Sequence, residues 1–264
     1  FADTLSGRPL RFTLGPDGRP IMRPWGPALT QEGQGDIFEV FFTGTGFLVD
    51  PEAGLMVTNR HLAVPWEFDE NAEGILARGF RGVMRRLVAY PHGSPGPLPV
   101  ALVASSSDAD VSVLRVPGLP EGVEALTFAG TPPSPGDEVL VVGYPLGVRA
   151  LVARTDPAFL ETLEQTADTT FWAVARRLAE EGYMAPLVSR GIVGQVTSRA
   201  VVYDAETTSG GSGGPVLSLD GRVIAVNAAI LPDFGGSNMG VPAEHGVALM
   251  ERLSSSQQEG ETLH

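Results

Sequence analysis

Apolar positions in this chain come mostly in short blocks of four to six residues, each bounded by glycine, proline, aspartate or serine. Ile37 to Phe42, Gly44 to Val49, Val111 to Leu114 and Glu138 to Val142 are examples. Blocks of this length, with turn formers on both sides, predict strands and not helices. Pro215 to Val226 is the clearest case: two apolar runs flank Asp220-Gly221, the signature of a tight hairpin. The 33 glycines and 22 prolines suit many short strands joined by turns, and 264 residues suffice for one domain or two fused barrels. Strand and helix do not alternate as a parallel sheet requires, so the expected class is all-β and antiparallel. Residues 1–35, rich in proline and glycine, read as an extended arm. A first barrel is expected over 36–130, with strands from Ile37 to near Leu126, and a second over 131–250, opening at Glu138 and closing near Val241.

Two stretches depart from the strand pattern. Asp156-Pro157 offers a helix cap and first turn, followed by Leu160, Leu163, Ala167, Phe171, Val174 and Leu178 in steps of three and four. That spacing predicts one helix with one apolar face, which has to be buried somewhere. Ala243 to Leu253 reads as a short helix, and the Ser/Gln/Glu-rich end, 251–264, as a disordered tail. No internal repeat is present.

Composition removes several chemistries. With no cysteine there is no thiol nucleophile, disulfide or thiolate zinc site, and all 18 basic residues are arginine, which excludes a serine-lysine dyad and a Schiff base. No cofactor or metal is called for. The formal charge of −13 argues against nucleic acid and anionic membranes as partners. The cluster Arg78, Arg81, Arg85 and Arg86 is the exception, read as a solvated face or as local ion pairs. No run of eighteen apolar residues is present, so no membrane-spanning segment is expected. The first residue is Phe1 and not methionine, which points to a processed or truncated chain.

Against this background Gly210-Gly211-Ser212-Gly213-Gly214-Pro215 stands out. It sets a serine in a glycine-rich turn, where the amides of Gly210 and Ser212 can converge on one point beside the hydroxyl, as an oxyanion hole does. A serine hydroxyl needs a base, and imidazole is the side chain whose ordinary pKa suits the task. Of His61, His92, His245 and His264, His61 is favoured: it ends Thr58-Asn59-Arg60-His61, just after an apolar run. A carboxylate is then needed on the second ring nitrogen, to set the tautomer and stabilise the imidazolium. Asp110, directly before the run Val111 to Leu114, is the candidate, with Asp108 read as a turn residue. Taken singly, each feature also has an ordinary explanation: glycine-serine loops, structural histidines and aspartates at strand starts are common. Gly210 to Gly214 also satisfies Gly-x-Ser-x-Gly of the α/β-hydrolases, for which Asp233 and His245 would complete a triad. The strand, turn and strand that follow Ser212 argue against the helix which that fold requires.

The order His61, Asp110, Ser212 resembles chymotrypsin-type serine proteases, and the wording around it resembles their HtrA/Deg branch. Gly44 to Val49, Thr58 to His61, Gly143-Tyr144-Pro145-Leu146-Gly147 with Ser189 to Val193, and Asp204 to Pro215 continuing through Gly221–Asn227 to Asn238–Pro242 carry the likeness. The resemblance implies two six-stranded antiparallel β-barrels, chymotrypsin-like, and a serine endopeptidase working through an acyl-enzyme, in protein quality control or regulated proteolysis. It implies His61, Asp110 and Ser212 as catalytic residues and Gly210, Gly211 and Ser212 as the oxyanion hole. It places the substrate walls at Glu206, Thr207, Thr208 and Ser209 and at Val226, Asn227 and Ala228. Partners would be protein or peptide substrates, unfolded ones among them. The location would be a bacterial cell envelope, periplasm or the exterior. No PDZ domain, as many HtrA relatives carry, fits after Leu253.

Three departures accompany the likeness. About forty residues, 149–187, stand where a short loop is expected, and such an insertion would gate activity or dock a partner or a second copy through 150–186. Glu206 lies six residues before Ser212, where trypsin-like enzymes carry a pocket acid for lysine or arginine, whereas HtrA-like pockets take small aliphatic side chains, the preference favoured here. Gly211 replaces the usual asparagine or aspartate, and its freedom would leave the hole disordered at rest. The alternative function is a latent or silent protease-like module that binds partner proteins through the insertion.

Overall fold

The computed structural model describes residues 1–231 and 237–261. The chain divides into two compact units, Phe1–Phe42 with Val64–Arg85, and Thr43–Ala63 with Arg86–His264.

The first unit is built from two-residue antiparallel pairs: Ala2–Asp3 with Phe80–Arg81, Arg11–Phe12 with Leu29–Thr30, and Met22–Arg23 with Gly26–Pro27. Residues 1–35 are therefore paired, among themselves and with 80–81, and are not a plain extended arm. Ile37 to Phe42, expected as the opening strand of the first barrel, is not a strand. Ile37 bridges Arg11, and the Phe38 N–H donates to Leu10 O at 2.8 Å. The Phe38 ring stacks on Phe1 at 6.3 Å and meets Phe12 edge-on at 5.5 Å, so aromatic packing holds this segment against the N-terminal pairs. In the arginine cluster, Arg85 pairs with Glu39 and Arg78 Nε donates to Gly74 O at 3.1 Å. Arg86, in the second unit, lies over the Trp172 ring at 4.6 Å. Local partners thus account for these three cations.

The second unit holds a closed six-stranded barrel in the order Glu138–Gly143, Leu187–Val196, Val201–Tyr203, Ser237–Pro242, Val223–Leu231 and Pro215–Ser218. Valine and isoleucine alternate inward along it, as in Glu138–Gly143, where every second residue is buried. Its interior is packed by Val139, Val141, Val193, Val201, Tyr203, Val216 and Ile224. The other sheet has four strands, in the order Ala101–Ser105, Ser112–Arg115, Leu55–Thr58 and Phe47–Asp50. Six strands in a closed barrel were expected here, and the described residues close only the other one. Ile37 to Phe42 pairs elsewhere, and the prolines at 91, 95, 97 and 99 lack the N–H a long ladder needs. What forms there is the two-residue pair Val88–Ala89 with Leu98–Pro99. Val57, Val111, Val113, Val223 and Val226 share a core with Leu249 of the C-terminal helix.

That helix runs Ala243–Glu261, so 251–261 is helical where a disordered tail was expected; 262–264 lie outside the described residues. Met250 and Leu253 pack against the core, and the hydroxyls of Ser254, Ser255 and Ser256 donate to the carbonyls four residues back. These bonds satisfy the hydroxyls on the helix itself, at a slight cost to its stability.

Between the register partners Gly143 and Leu187 the chain leaves the barrel and forms three helices, Gly147–Val152, Pro157–Glu164 and Phe171–Glu180. Asp156 caps the second, its Oδ1 accepting the Phe159 N–H at 2.8 Å. The single helix expected from Pro157 onward is broken at 165–170, where Asp168 Oδ1 accepts both the N–H and the hydroxyl of Thr170, a local turn that competes with helix. The break rotates the buried face: Phe159 is buried and Leu160 exposed. Leu151, Phe159, Ala175, Leu178, Ala179 and Met184 form a core of their own, covered in part by Tyr90 and Tyr144. Leu178 is 0% exposed, so Leu178→Ala should lower stability by about 2–5 kcal/mol, read as a fall in the thermal midpoint.

Candidate active site

His61 stands in the short helix Arg60–Ala63, directly after the strand Leu55–Thr58, and Asp110 stands before Ser112–Arg115, the neighbouring strand. Pairing of those strands brings the two residues together. Asp110 Oδ2 lies 2.7 Å from His61 Nδ1, and Oδ1 accepts the His61 main-chain N–H at 2.8 Å. Two contacts to one carboxylate orient the ring, and Nδ1 is the nitrogen that carries the proton when the carboxylate is ionised. Asn59, fully buried, donates from Nδ2 to Asp110 O at 2.8 Å and holds the backbone beneath the pair. Asp108 accepts the Ser107 hydroxyl at 2.9 Å in the preceding turn.

Ser212 sits on the turn before Pro215–Ser218. A side chain at Gly213 would meet Thr45 O at 2.1 Å, Thr58 Oγ1 at 2.3 Å and Leu62 Cδ1 at 3.1 Å, so the serine turn lies directly on the residues that flank His61. Only glycine, here at φ +83°, permits that approach. Ser212 Oγ donates to Ala228 O at 3.2 Å. Ala228 falls at the bulge between Asn227 and Ala229, which sets it outside the ladder.

The glycine turn is held by its carbonyls. A trans peptide is planar, so fixing its C=O fixes the opposite N–H. Ser209 O accepts the Leu146 N–H at 2.6 Å, which directs the Gly210 N–H away from Leu146; Gly211 O accepts the Gly214 N–H at 3.1 Å, which does the same for the Ser212 N–H. Among the described residues neither the Gly210 nor the Ser212 N–H has a protein acceptor. The Gly211 N–H, grouped with them in the sequence reading, donates instead to Thr208 O at 2.9 Å. A Cβ on Gly211 would stand 2.2 Å from Thr207 Oγ1, so Thr207 fills the space where a side chain at 211 would go.

Four positioning residues were not found from the sequence. Thr45 donates its hydroxyl to Gly210 O at 2.7 Å, accepts the Tyr144 N–H at 3.0 Å, and donates its N–H to Ser212 O at 2.8 Å. Thr58 in turn donates to Thr45 O at 2.7 Å. Leu146 takes φ +58°, the one non-glycine residue among those described with positive φ, and half of it is exposed; that left-handed turn aims its N–H at Ser209. Asn59 is the fourth. The signals available were Leu146 between proline and glycine, and Asn59 two residues before His61.

Of the residues expected to line the substrate, Asn227 is buried, with Oδ1 accepting the Tyr203 hydroxyl at 2.5 Å and Nδ2 donating to Thr207 Oγ1 at 3.2 Å. Burial pushes the Tyr203 phenol far above its usual range, which keeps it a donor. Val226 is buried in the core, Ala228 is half-buried, and Glu206, Thr208 and Ser209 are exposed. For the rival α/β-hydrolase triad, His245 lies on the C-terminal helix with Nε2 3.0 Å from Ser198 O, and Asp233 lies outside the described residues. Among the described residues no group of three or more His, Asp or Glu is placed to hold a metal ion.

Residues 44–226 match the model of the trypsin-like peptidase domain. The chain belongs to that family. The chain is 26% identical, over 183 residues, to the serine protease Rv3671c of Mycobacterium tuberculosis; the match takes in 69% of this chain and 35% of that protein. The chain thus spans about a third of the length of the curated relatives it matches. Crystal structures of the Rv3671c protease superpose with a TM-score of 0.52 in the inactive form, at 18% identity over 80% of this chain and 83% of that one. The active form gives the same TM-score, 0.52, at 19% identity over 80% and 73%. The serine endoprotease of Yersinia pestis gives 0.53, at 16% identity over 80% of this chain and 57% of that one. At these identities the structures speak for the fold alone. By family, residues 44–226 form a trypsin-like peptidase domain.

Proposed function

We propose that this chain cleaves protein substrates as a serine endopeptidase, with Ser212 as nucleophile, His61 as base and Asp110 as the carboxylate that orients and charges the base. The observation that carries the reading is the double contact of Asp110 to His61, beside a serine turn packed on Thr58 and Leu62. In attack, the Ser212 hydroxyl turns from Ala228 O to His61 Nε2, gives up its proton there, and Oγ bonds to the scissile carbonyl carbon. The carbonyl oxygen, now negative, is received by the Gly210 and Ser212 N–H groups, whose directions are already set by Leu146 and Gly214. The proton on His61 then passes to the leaving amine, and water repeats the sequence on the acyl-enzyme. The substrate strand would lie along Val226–Ala228.

The helical segment enters the same machinery. Gly147–Val152 begins at the residue after Leu146, and Tyr144 packs on the helical core, so a partner or second copy on 150–186 would act on the Ser209 peptide through this turn. A bacterial envelope or secreted location fits this reading.

Incubation with denatured casein, with cleavage sites mapped by mass spectrometry, tests the function alongside a fluorophosphonate probe whose adduct is located by peptide mapping. Cuts together with an adduct on Ser212 are expected. Neither cuts nor adduct would overturn the endopeptidase reading in favour of the silent binding module. The oxyanion hole has its own test. A Cβ at Gly210, φ +95°, would stand 2.5 Å from Tyr144 O. Gly210→Ala should therefore tilt the peptide and lower kcat about 10²–10³-fold, with the circular dichroism spectrum unchanged.

A further inference from the structure

Gly211 is a glycine that its own backbone does not require. In the same turn Gly210 and Gly213 take φ of +95° and +83°, where a side chain is strained, whereas Gly211 lies outside the left-handed region. A neighbour excludes the side chain instead. A Cβ at 211 would stand 2.2 Å from Thr207 Oγ1, with Thr208 O at 3.1 Å and Asn227 Nδ2 at 3.3 Å. Only the first of these is closer than a Cβ can come, so Thr207 occupies the place of the side chain that the residue before Ser212 lacks.

Thr207 is itself held from the barrel interior. Its Oγ1 accepts Asn227 Nδ2 at 3.2 Å, and Asn227 Oδ1 accepts the hydroxyl of Tyr203, a residue of the barrel core, at 2.5 Å. Asn227 and Tyr203 are each 1% exposed. Asn227 also grips the far side of the serine turn through its main chain, donating to Gly214 O at 2.8 Å and accepting the Gly213 N–H at 2.7 Å. One buried residue therefore brackets Ser212, directly at 213 and 214 and through Thr207 at 211. Without the Thr207 oxygen, Asn227 Nδ2 would lose its acceptor in a buried site, and two successive glycines, 210 and 211, would lose the contact that limits them.

Resting on the endopeptidase reading, we infer that Thr207 is a positioning residue and not a wall of the substrate pocket: its hydroxyl oxygen, held by Asn227 and Tyr203, stands in for a side chain at 211 and fixes the Gly211–Ser212 peptide. That peptide carries the Ser212 N–H. Because it is planar, a shift of the Gly211 Cα tilts the N–H away from the point where the carbonyl oxygen becomes negative. The contact is thus used in the transition state and not in binding, and its loss falls on kcat.

The test takes a peptide carrying one of the mapped casein sites and measures kcat and KM for the full chain and four variants. Thr207→Ala should lower kcat about tenfold or more, the worth of one uncharged hydrogen bond, with KM near its original value. Thr207→Ser keeps the oxygen and should recover most of the loss. Gly211→Ser alone sets its Cβ against Thr207 and should also lose kcat. The exchange Thr207→Ala with Gly211→Ser returns a hydroxyl to the same space from the other position, and should be faster than either single variant. A merely structural role for Thr207 gives no such recovery. Thr207→Ala with unchanged kcat, a loss confined to KM, or an exchange no faster than the single variants overturns the inference and leaves the endopeptidase standing. A wild type that neither cleaves nor takes a fluorophosphonate at Ser212 overturns both. Should Thr207→Ala fail to fold, the exchange against Gly211→Ser decides the matter.

Discussion

Ser212→Ala is expected to reduce casein cleavage by about 10⁶-fold in kcat, to the level left by binding and the oxyanion hole, without loss of the fold. Among the described residues Ser212 Oγ makes one hydrogen bond, to Ala228 O at 3.2 Å, so its removal leaves a single half-buried carbonyl to be met by water. The turn itself is held by main-chain bonds that alanine keeps: Thr45 N–H to Ser212 O at 2.8 Å and Gly213 N–H to Asn227 O at 2.7 Å. The two effects therefore separate cleanly. Activity should vanish while the thermal midpoint stays within a degree or two, and cuts that persist in the variant would mean that another group, or a contaminant, does the chemistry.

Asp110→Asn should cost about 10⁴-fold in kcat, the second largest effect. The carboxylate accepts twice, from the His61 ring at 2.7 Å and from its main-chain N–H at 2.8 Å. An amide has one accepting oxygen. If that oxygen stays on the main-chain N–H, the NH₂ faces Nδ1, and the ring must carry its proton on Nε2, where the serine needs a base. Binding should be little changed, so the loss should fall on kcat and leave KM near its original value. A loss of less than about tenfold would show that Asp110 does not set the tautomer.

Both candidates could be named before any coordinates. The triad candidates each sit at the end or start of an apolar block, and pairing of adjacent strands, Ser112 opposite Thr58, is enough to bring Asp110 to His61. The Asp220-Gly221 hairpin, the opening of the closed barrel at Glu138 and the Asp156 cap were legible for the same reason: each depends on residues within a few positions of one another. Ile37–Phe42 misled because its apolar block fits a strand, while two aromatic rings distant from it in sequence, Phe1 and Phe12, gave Phe38 a better place. The helix from Pro157 misled through its regular spacing, which says nothing of the local turn at Asp168 that interrupts it.

The sequence by itself determined which chemistries are excluded, since cysteine and lysine are absent, and it determined the order of the candidate histidine, aspartate and serine and the strand-and-turn character of the chain around them. Tertiary structure alone decided how the glycine turn is held. Thr45 reaches Gly210 across 165 residues, Leu146 takes a left-handed conformation to hold Ser209, and Asn238 spans 33 residues to Ala205. Propensity and periodicity record what a residue does with its near neighbours. A hydrogen bond between distant segments exists only once the barrel has closed and its register has chosen which donor faces which carbonyl.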